Sequence, residues 1–137
     1  MTTPHSAEPV AAFPEGVHCA RLEHQAVLRA SGADAVPFLH GQLTQDVQTL
    51  TGEQARLAAY CSPKGRMLAT LVFWRDADGA AIDAMVDASV ADALIKRLRM
   101  FVLRAKVVLE PLPLIVTGVW ADTDAAAAAL DAWAGGL

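Results

Sequence analysis

In "QAVLRA" apolar and polar positions alternate, so Ala26, Leu28 and Ala30 share one face of an extended segment and Val27 and Arg29 the other. With "CARL" before it, the stretch predicts two short strands around Glu23-His24. The pattern changes in "GADAVPFLHGQL", which predicts a helix. Asp34 suits its N-cap, and Pro37 falls in the first turn, where a missing N–H costs nothing. Val36, Leu39 and Leu43 then share a helical face, with Phe38 at its edge. "TQDVQTLTGE" predicts a second short turn or helix ended at Gly52.

Two-residue alternation returns after Gln54. Leu57, Ala59 and Cys61 are expected on the core face of an incoming strand. The outgoing strand, Met67 to Trp74, is apolar on both sides and is expected to be central and covered on both faces. Between the two, "SPKG" places Pro63 second and Gly65 fourth in a type I turn. An Asp-Gly step in "RDADGA" leads into the strand "AAIDAMVD". "SVADALIKRLRMFVL" is the clearest helix, with Ser89 and Asp92 resembling a capping box and Leu94, Leu98, Phe101 and Val102 as its apolar stripe.

"KVVLE" and "LPLIVTGVW" predict strands split by Pro111 and Pro113, and "DTDAAAAALDAWAGGL" predicts an alanine-rich helix ended at Gly135-Gly136. The order ββ-α-ββ-β-α-ββ-α predicts an α+β fold, an antiparallel sheet with helices packed mainly on one face. Residues 1–17, with Pro4, Pro9 and Pro14 and no period, are expected to form a flexible leader to a domain over 18–137.

Composition narrows the class. At 137 residues and 54% hydrophobic content the chain supports one domain with a real core. No apolar run reaches the roughly 20 residues of a membrane helix. The longest, Leu109 to Trp120, is broken by Pro111 and Pro113. The N-terminal stretch has no basic segment followed by an apolar one, and carries Glu8 and Glu15. A cytoplasmic protein with Cys19 and Cys61 as free thiols is therefore expected, with no membrane partner. A net charge of −4 argues against direct nucleic-acid binding. Even so, Lys96, Arg97, Arg99, Arg104 and Lys106 gather five of the eleven basic residues. They form either a solvated helix face or an anion-binding surface.

Chemistry candidates are few. His5, His18, His24 and His40 are scattered, and two cysteines cannot supply the four ligands of an iron–sulfur cluster, so no metal site is expected. Cys61 lies near Lys64 and Arg66, which would favour a thiolate, but it shares a face with Leu57 and Ala59 and is read as structural. No catalytic triad can be assembled, and no catalytic residue is assigned. "SPKGR" lacks the GxxxxGK[ST] spacing of a phosphate loop. Lys64 and Arg66 remain candidates for a carboxylate or phosphate tail, against the alternative of solvated turn residues. Asp46 is either a local cap or a site residue, and Asp83 either faces solvent or serves a site.

"SGADAVPFLHGQLTQDVQTL" followed by "AAYCSPKGRMLATLVFWR" resembles the start of the YgfZ-type folate-binding proteins, relatives of the glycine-cleavage T-protein (aminomethyltransferase). The family run Gly-x-Asp-Ala is met by Gly32 to Ala35, its Phe-Leu-Gln-Gly-Gln-Leu-Thr-Asn-Asp-Val by Phe38 to Val47, and its Cys-x-x-Lys-Gly-Arg hairpin by Cys61 to Arg66. His40 and Gln45 replace the usual Gln and Asn. Phe101 stands at the Tyr position of a later family segment that "LRMFVLRAKVVLE" resembles.

The resemblance implies the aminomethyltransferase-like folate-binding domain. The downstream Lys-Gly-Cys-Tyr-x-Gly-Gln-Glu hallmark has no match, so the chain is expected to correspond to the N-terminal domain without the remaining family domains. By resemblance the cofactor is tetrahydrofolate or a derivative. Lys64, Gly65 and Arg66 would stand at the cavity rim, with Gln25 and Asp46 as further cofactor-binding candidates. The implied role is an accessory one in iron–sulfur cluster assembly or repair and, through it, tRNA modification, with iron–sulfur proteins as clients. Acidic residues of the T-protein branch are replaced by Ala69 and Thr70, which exchange no protons at neutral pH and so argue against an enzyme. Gln25 stands where some relatives place an aromatic, keeping hydrogen bonding and losing stacking. Two alternatives stay open. One is a folate-dependent one-carbon transferase; the other is a non-folate module that forms a homodimer through exposed sheet or the helix surface carrying Trp133.

Overall fold

The computed structural model describes residues 13–135, so most of the expected leader lies outside the described residues. Ten elements follow in the expected order: β1 (Val17–Arg21), β2 (Gln25–Ser31), α1 (Ala35–Gln42), β3 (Ala55–Cys61), β4 (Met67–Arg75), β5 (Ile82–Asp87), α2 (Ala88–Val102), β6 (Val108–Leu112), β7 (Thr117–Ala121) and α3 (Asp124–Gly135). The chain divides into two compact units. One runs from Leu22 to Val116, and the other is built from the two flanking stretches.

The larger unit is a five-stranded antiparallel sheet of order β3-β4-β5-β2-β6. Register aligns Leu28 with Ala84, Ala84 with Phe73, and Val86 with Leu71, so these side chains share one face. There they form the core with Ala35 and Leu39 of α1 and Leu94, Ile95 and Leu98 of α2. Both helices thus cover the same face, α1 through Ala35 and Leu39 and α2 through its apolar stripe of Leu94, Ile95 and Leu98.

The opposite face carries Thr70, Val72 and Met85, with Leu57 on β3 66% exposed. This corrects two expectations. β4 is central in strand order, but the helices of its unit cover only one of its faces. On β3 the core-facing residues are Ala58 and Tyr60, not Leu57, Ala59 and Cys61. Tyr60 lies opposite Ala69 and packs beside α2, which fixes which face of β3 turns to the core. A register shift between Tyr60 and Cys61 then leaves the Cys61 thiol half-buried and free.

Two further details differ from the sequence reading. Asp87, not Ser89, is the N-cap of α2, and its side chain accepts from the Ser89 N–H. Pro111 lies inside β6 instead of ending it. An edge strand tolerates proline because one row of its backbone groups has no sheet partner. α1 begins at the expected Asp34, but that carboxylate reaches away from the helix and accepts from the Lys106 N–H at 2.8 Å.

The smaller unit pairs β1 with β7 antiparallel, Val17 opposite Ala121 and Arg21 opposite Thr117. Gly16, at φ +81°, lets its carbonyl accept from the Asp122 N–H at 3.0 Å. Thr123 Oγ1 accepts from the Ala126 N–H at the start of α3, and Ala126 is the buried residue of that helix. Phe13 meets Trp133 edge-on with ring centroids 5.2 Å apart.

Two glycines in the larger unit should respond differently to substitution. At Gly32 (φ +110°) a Cβ would sit 2.2 Å from the Lys106 carbonyl oxygen, whereas at Gly65 (φ +78°) it meets nothing within 4 Å. Gly65→Ala is expected to cost about 1–2 kcal/mol from backbone strain alone. Gly32→Ala adds displaced backbone and is expected to cost roughly 3 kcal/mol or more. Urea unfolding midpoints of the two variants check the order; equal losses would contradict it.

Candidate functional site

The β3–β4 connection is a tight turn closed by its own backbone. Gly65 N–H donates to the Ser62 carbonyl at 2.9 Å, Ser62 N–H donates to the Arg66 carbonyl at 2.8 Å, and Arg66 N–H donates to Ser62 Oγ at 3.2 Å. With the backbone satisfied inside the turn, Lys64 and Arg66 extend into solvent. Together with Ser62, Gly65, Leu68 and Arg97 they frame a depression of about 730 Å³. The hairpin tip and the basic helix run, separate in sequence, therefore meet through Arg97. Arg99 is committed elsewhere: its Nε donates to the Leu109 carbonyl at 3.1 Å, tying α2 to β6.

Gln25 stands apart from this cluster. It shares a shallow depression of about 240 Å³ with Leu57, Thr70, Val72, Met85 and Asp87 on the sheet face away from the two helices. Register sets Gln25 opposite Asp87. Of the neighbours Ala69 and Thr70, Ala69 is buried on the helix side and Thr70 opens to this depression. Sequence reasoning missed Asp87, although an Asp directly before Ala-Ser-Val at a helix start is a capping signal. Its carboxylate accepts from the Ser89 hydroxyl at 2.5 Å and the Ser89 N–H at 2.9 Å. The hydroxyl, then the N–H, hold its pKa below the ordinary carboxylate value.

Asp46 belongs to a third place. Its Oδ1 accepts from the Thr49 N–H at 3.1 Å, its carbonyl accepts from Arg56 Nη1 at 2.9 Å, and His40 Nδ1 lies 3.4 Å from the carboxylate. The Thr49 backbone N–H is the main cause of its lowered pKa. This is the geometry of a local turn cap. The five candidates accordingly occupy three sites: Lys64, Gly65 and Arg66 at the hairpin tip, Gln25 on the sheet face, and Asp46 in the turn after α1.

Asp83 is also resolved. It is 4% exposed and forms a two-pronged pair with Arg29, Nε to Oδ1 at 2.7 Å and Nη2 to Oδ2 at 2.8 Å. Asp76 lies 3.9 Å from the same guanidinium. Asp83 is a structural partner of a cross-strand arginine. Among the described residues no group of three or more His, Cys, Asp or Glu is placed to hold a metal ion, and no helix is long and apolar enough to cross a membrane.

No family model matches the chain. Two curated relatives, the tRNA-modifying protein YgfZ of Yersinia pestis (strain Pestoides F) and of Yersinia pseudotuberculosis serotype O:3 (strain YPIII), are each 34% identical over 113 residues, 81% of this chain. The match covers 33% of each relative, so the chain spans about a third of the length of the curated proteins it resembles. Among solved structures, the glycine cleavage system aminomethyltransferase T from Bartonella henselae superposes with a TM-score of 0.74 at 20% identity, over 88% of this chain and 32% of that one. The fold is the aminomethyltransferase fold.

The lowered Asp87 pKa has a pH consequence with a definite sign. A carboxylate depressed in the folded state contributes stability that is complete above its unfolded value, near 3.8, and is lost as pH falls through the lower folded value. Asp87→Ala should therefore lower Tm by a constant amount above about pH 5, and the gap to the parent should close as pH drops below that. A gap that stays constant to acid pH would contradict the assignment.

Proposed function

For a chain similar to YgfZ over most of its length and folded like an aminomethyltransferase, we propose that it supplies part of a folate-binding accessory protein that supports tRNA modification. The observation that carries the reading is the sheet face away from α1 and α2. It offers an apolar floor of Leu57, Val72 and Met85 edged by the Gln25 amide and the Thr70 hydroxyl. A flat heteroaromatic group with donors and acceptors on its edge suits such a surface: apolar area for the ring, two neutral polar groups for its rim. Tetrahydrofolate or a derivative has that character. Its carboxylate tail would be met by Lys64 and Arg66, with Gly65 letting the hairpin tip turn beside it.

Thr70 has no proton to exchange near neutral pH, and Asp87 is occupied by Ser89, so the reading is one of binding without transfer. Asp46, committed to its own turn, is assigned the lesser role of shaping the loop after α1. The accessory role extends, on this reading, to iron–sulfur proteins as clients in a cytoplasmic setting, with the longer relatives' remaining length completing the cavity.

Calorimetric titration with tetrahydrofolate, on this chain and on a full-length relative, tests it. Lys64→Ala with Arg66→Ala is expected to weaken binding about tenfold. Gln25→Ala is expected to weaken it roughly fivefold, the worth of one hydrogen bond. Absence of binding to both the chain and the relative would overturn the folate reading.

A further inference from the structure

α2 presents Val90, Ala93, Leu94, Arg97 and Met100, three and four residues apart, to a half-open cleft of about 380 Å³. The facing wall is Tyr60, Leu68 and Ala69 at the base of the β3–β4 hairpin. Leu68 and Arg97 also border the depression in which Lys64 and Arg66 stand. An apolar trench therefore runs along α2 with Lys96 and Arg97 in its lining, and Lys64 and Arg66 stand beyond its hairpin end. Met100, 72% exposed, leaves a long apolar side chain in water at its rim. Exposed apolar surface edged by one sign of charge marks a recognition surface.

The chemistry of the trench selects its occupant. The solvent-facing walls are aliphatic, and Tyr60, at 4% exposure, offers no ring face for stacking a nucleobase. The surface is concave, unlike a bilayer. From Val90 to Met100 the helix runs roughly 15 Å at 1.5 Å per residue, about three turns. We infer that this cleft docks an acidic amphipathic peptide segment of a partner protein. Its aliphatic side chains enter between α2 and the hairpin, and its carboxylates meet Lys96 and Arg97 of the cleft lining. This goes beyond the folate reading, since Leu94 and Ala69 lie on the helix-covered side of the sheet and Gln25 on the other.

The test is fluorescence anisotropy of the chain with a labelled peptide of about a dozen residues, leucines at helical spacing and glutamates elsewhere. Saturable binding is expected, weakened about tenfold by Arg97→Glu, which reverses one contact charge. Ala93→Phe, which fills the trench and keeps its charge, should weaken it as much. Both substitutions are at exposed helix positions, and circular dichroism verifies that the fold is kept. Gln25→Ala should leave peptide affinity unchanged, which separates this surface from the folate one. The inference is overturned by absence of saturation, by equal binding of a glutamine-for-glutamate peptide, or by indifference to both trench variants. A tRNA transcript that binds and is weakened by Arg97→Glu but not by Ala93→Phe would give the surface to nucleic acid and likewise overturn it.

Discussion

The larger unit depends on a close approach of backbone to backbone. After β2 the chain turns at Gly32, whose missing side chain lets it lie against the Lys106 carbonyl. The same carbonyl accepts from the Asp34 N–H at 3.2 Å, and the Asp34 carboxylate takes the Lys106 N–H at 2.8 Å. Two connections distant in sequence, the start of α1 and the return from α2 to β6, are thereby fixed to each other. Once that joint is set, β6 lies beside β2 and Arg99 ties α2 to β6. Leu103, at φ +46°, ends α2 abruptly enough for the chain to come back to this joint.

A second constraint guards strand register. Arg29 and Asp83 face each other across β2 and β5, with Glu110 opposite Arg29 on β6 and Trp74 opposite Asp83 on β4. A slip of one residue would turn the pair to the helix-covered face, where charge has no solvent and no partner. The pair contributes little net stability over a well-packed apolar pair, yet it makes alternative registers costly. Apolar packing alone would tolerate more than one alignment of alanine-rich strands such as "QAVLRAS".

Element order was legible because its signals are local. Pro37 inside a first turn, Pro63 and Gly65 in "SPKG", and Asp78-Gly79 each act within four residues. Parity on β3 was not legible: Leu57 and Tyr60 are both apolar enough to lead, and only packing against Ala69 and α2 decides in favour of Tyr60. The cap of α2 was misplaced because Ser89 and Asp87 are both good caps two residues apart, and the choice depends on where β5 releases the chain. Lys64 and Arg66 were legible as exposed cations, whereas their meeting with Arg97 exists only in the folded chain. The separation of Gln25 from the hairpin tip is likewise a product of the sheet, not of spacing.

The larger unit begins and ends at one point, where Leu22 N–H donates to the Val116 carbonyl at 2.8 Å. Topologically it is a closed insertion between β1 and β7. For an unfolded chain, pairing Arg21 with Thr117 means closing a long loop at a considerable entropic cost. Once the insertion has folded, the two ends already lie side by side, and the outer pair zips up as though joined by a short hairpin. Loop-closure entropy thus favours an inner sheet that forms before the outer ribbon.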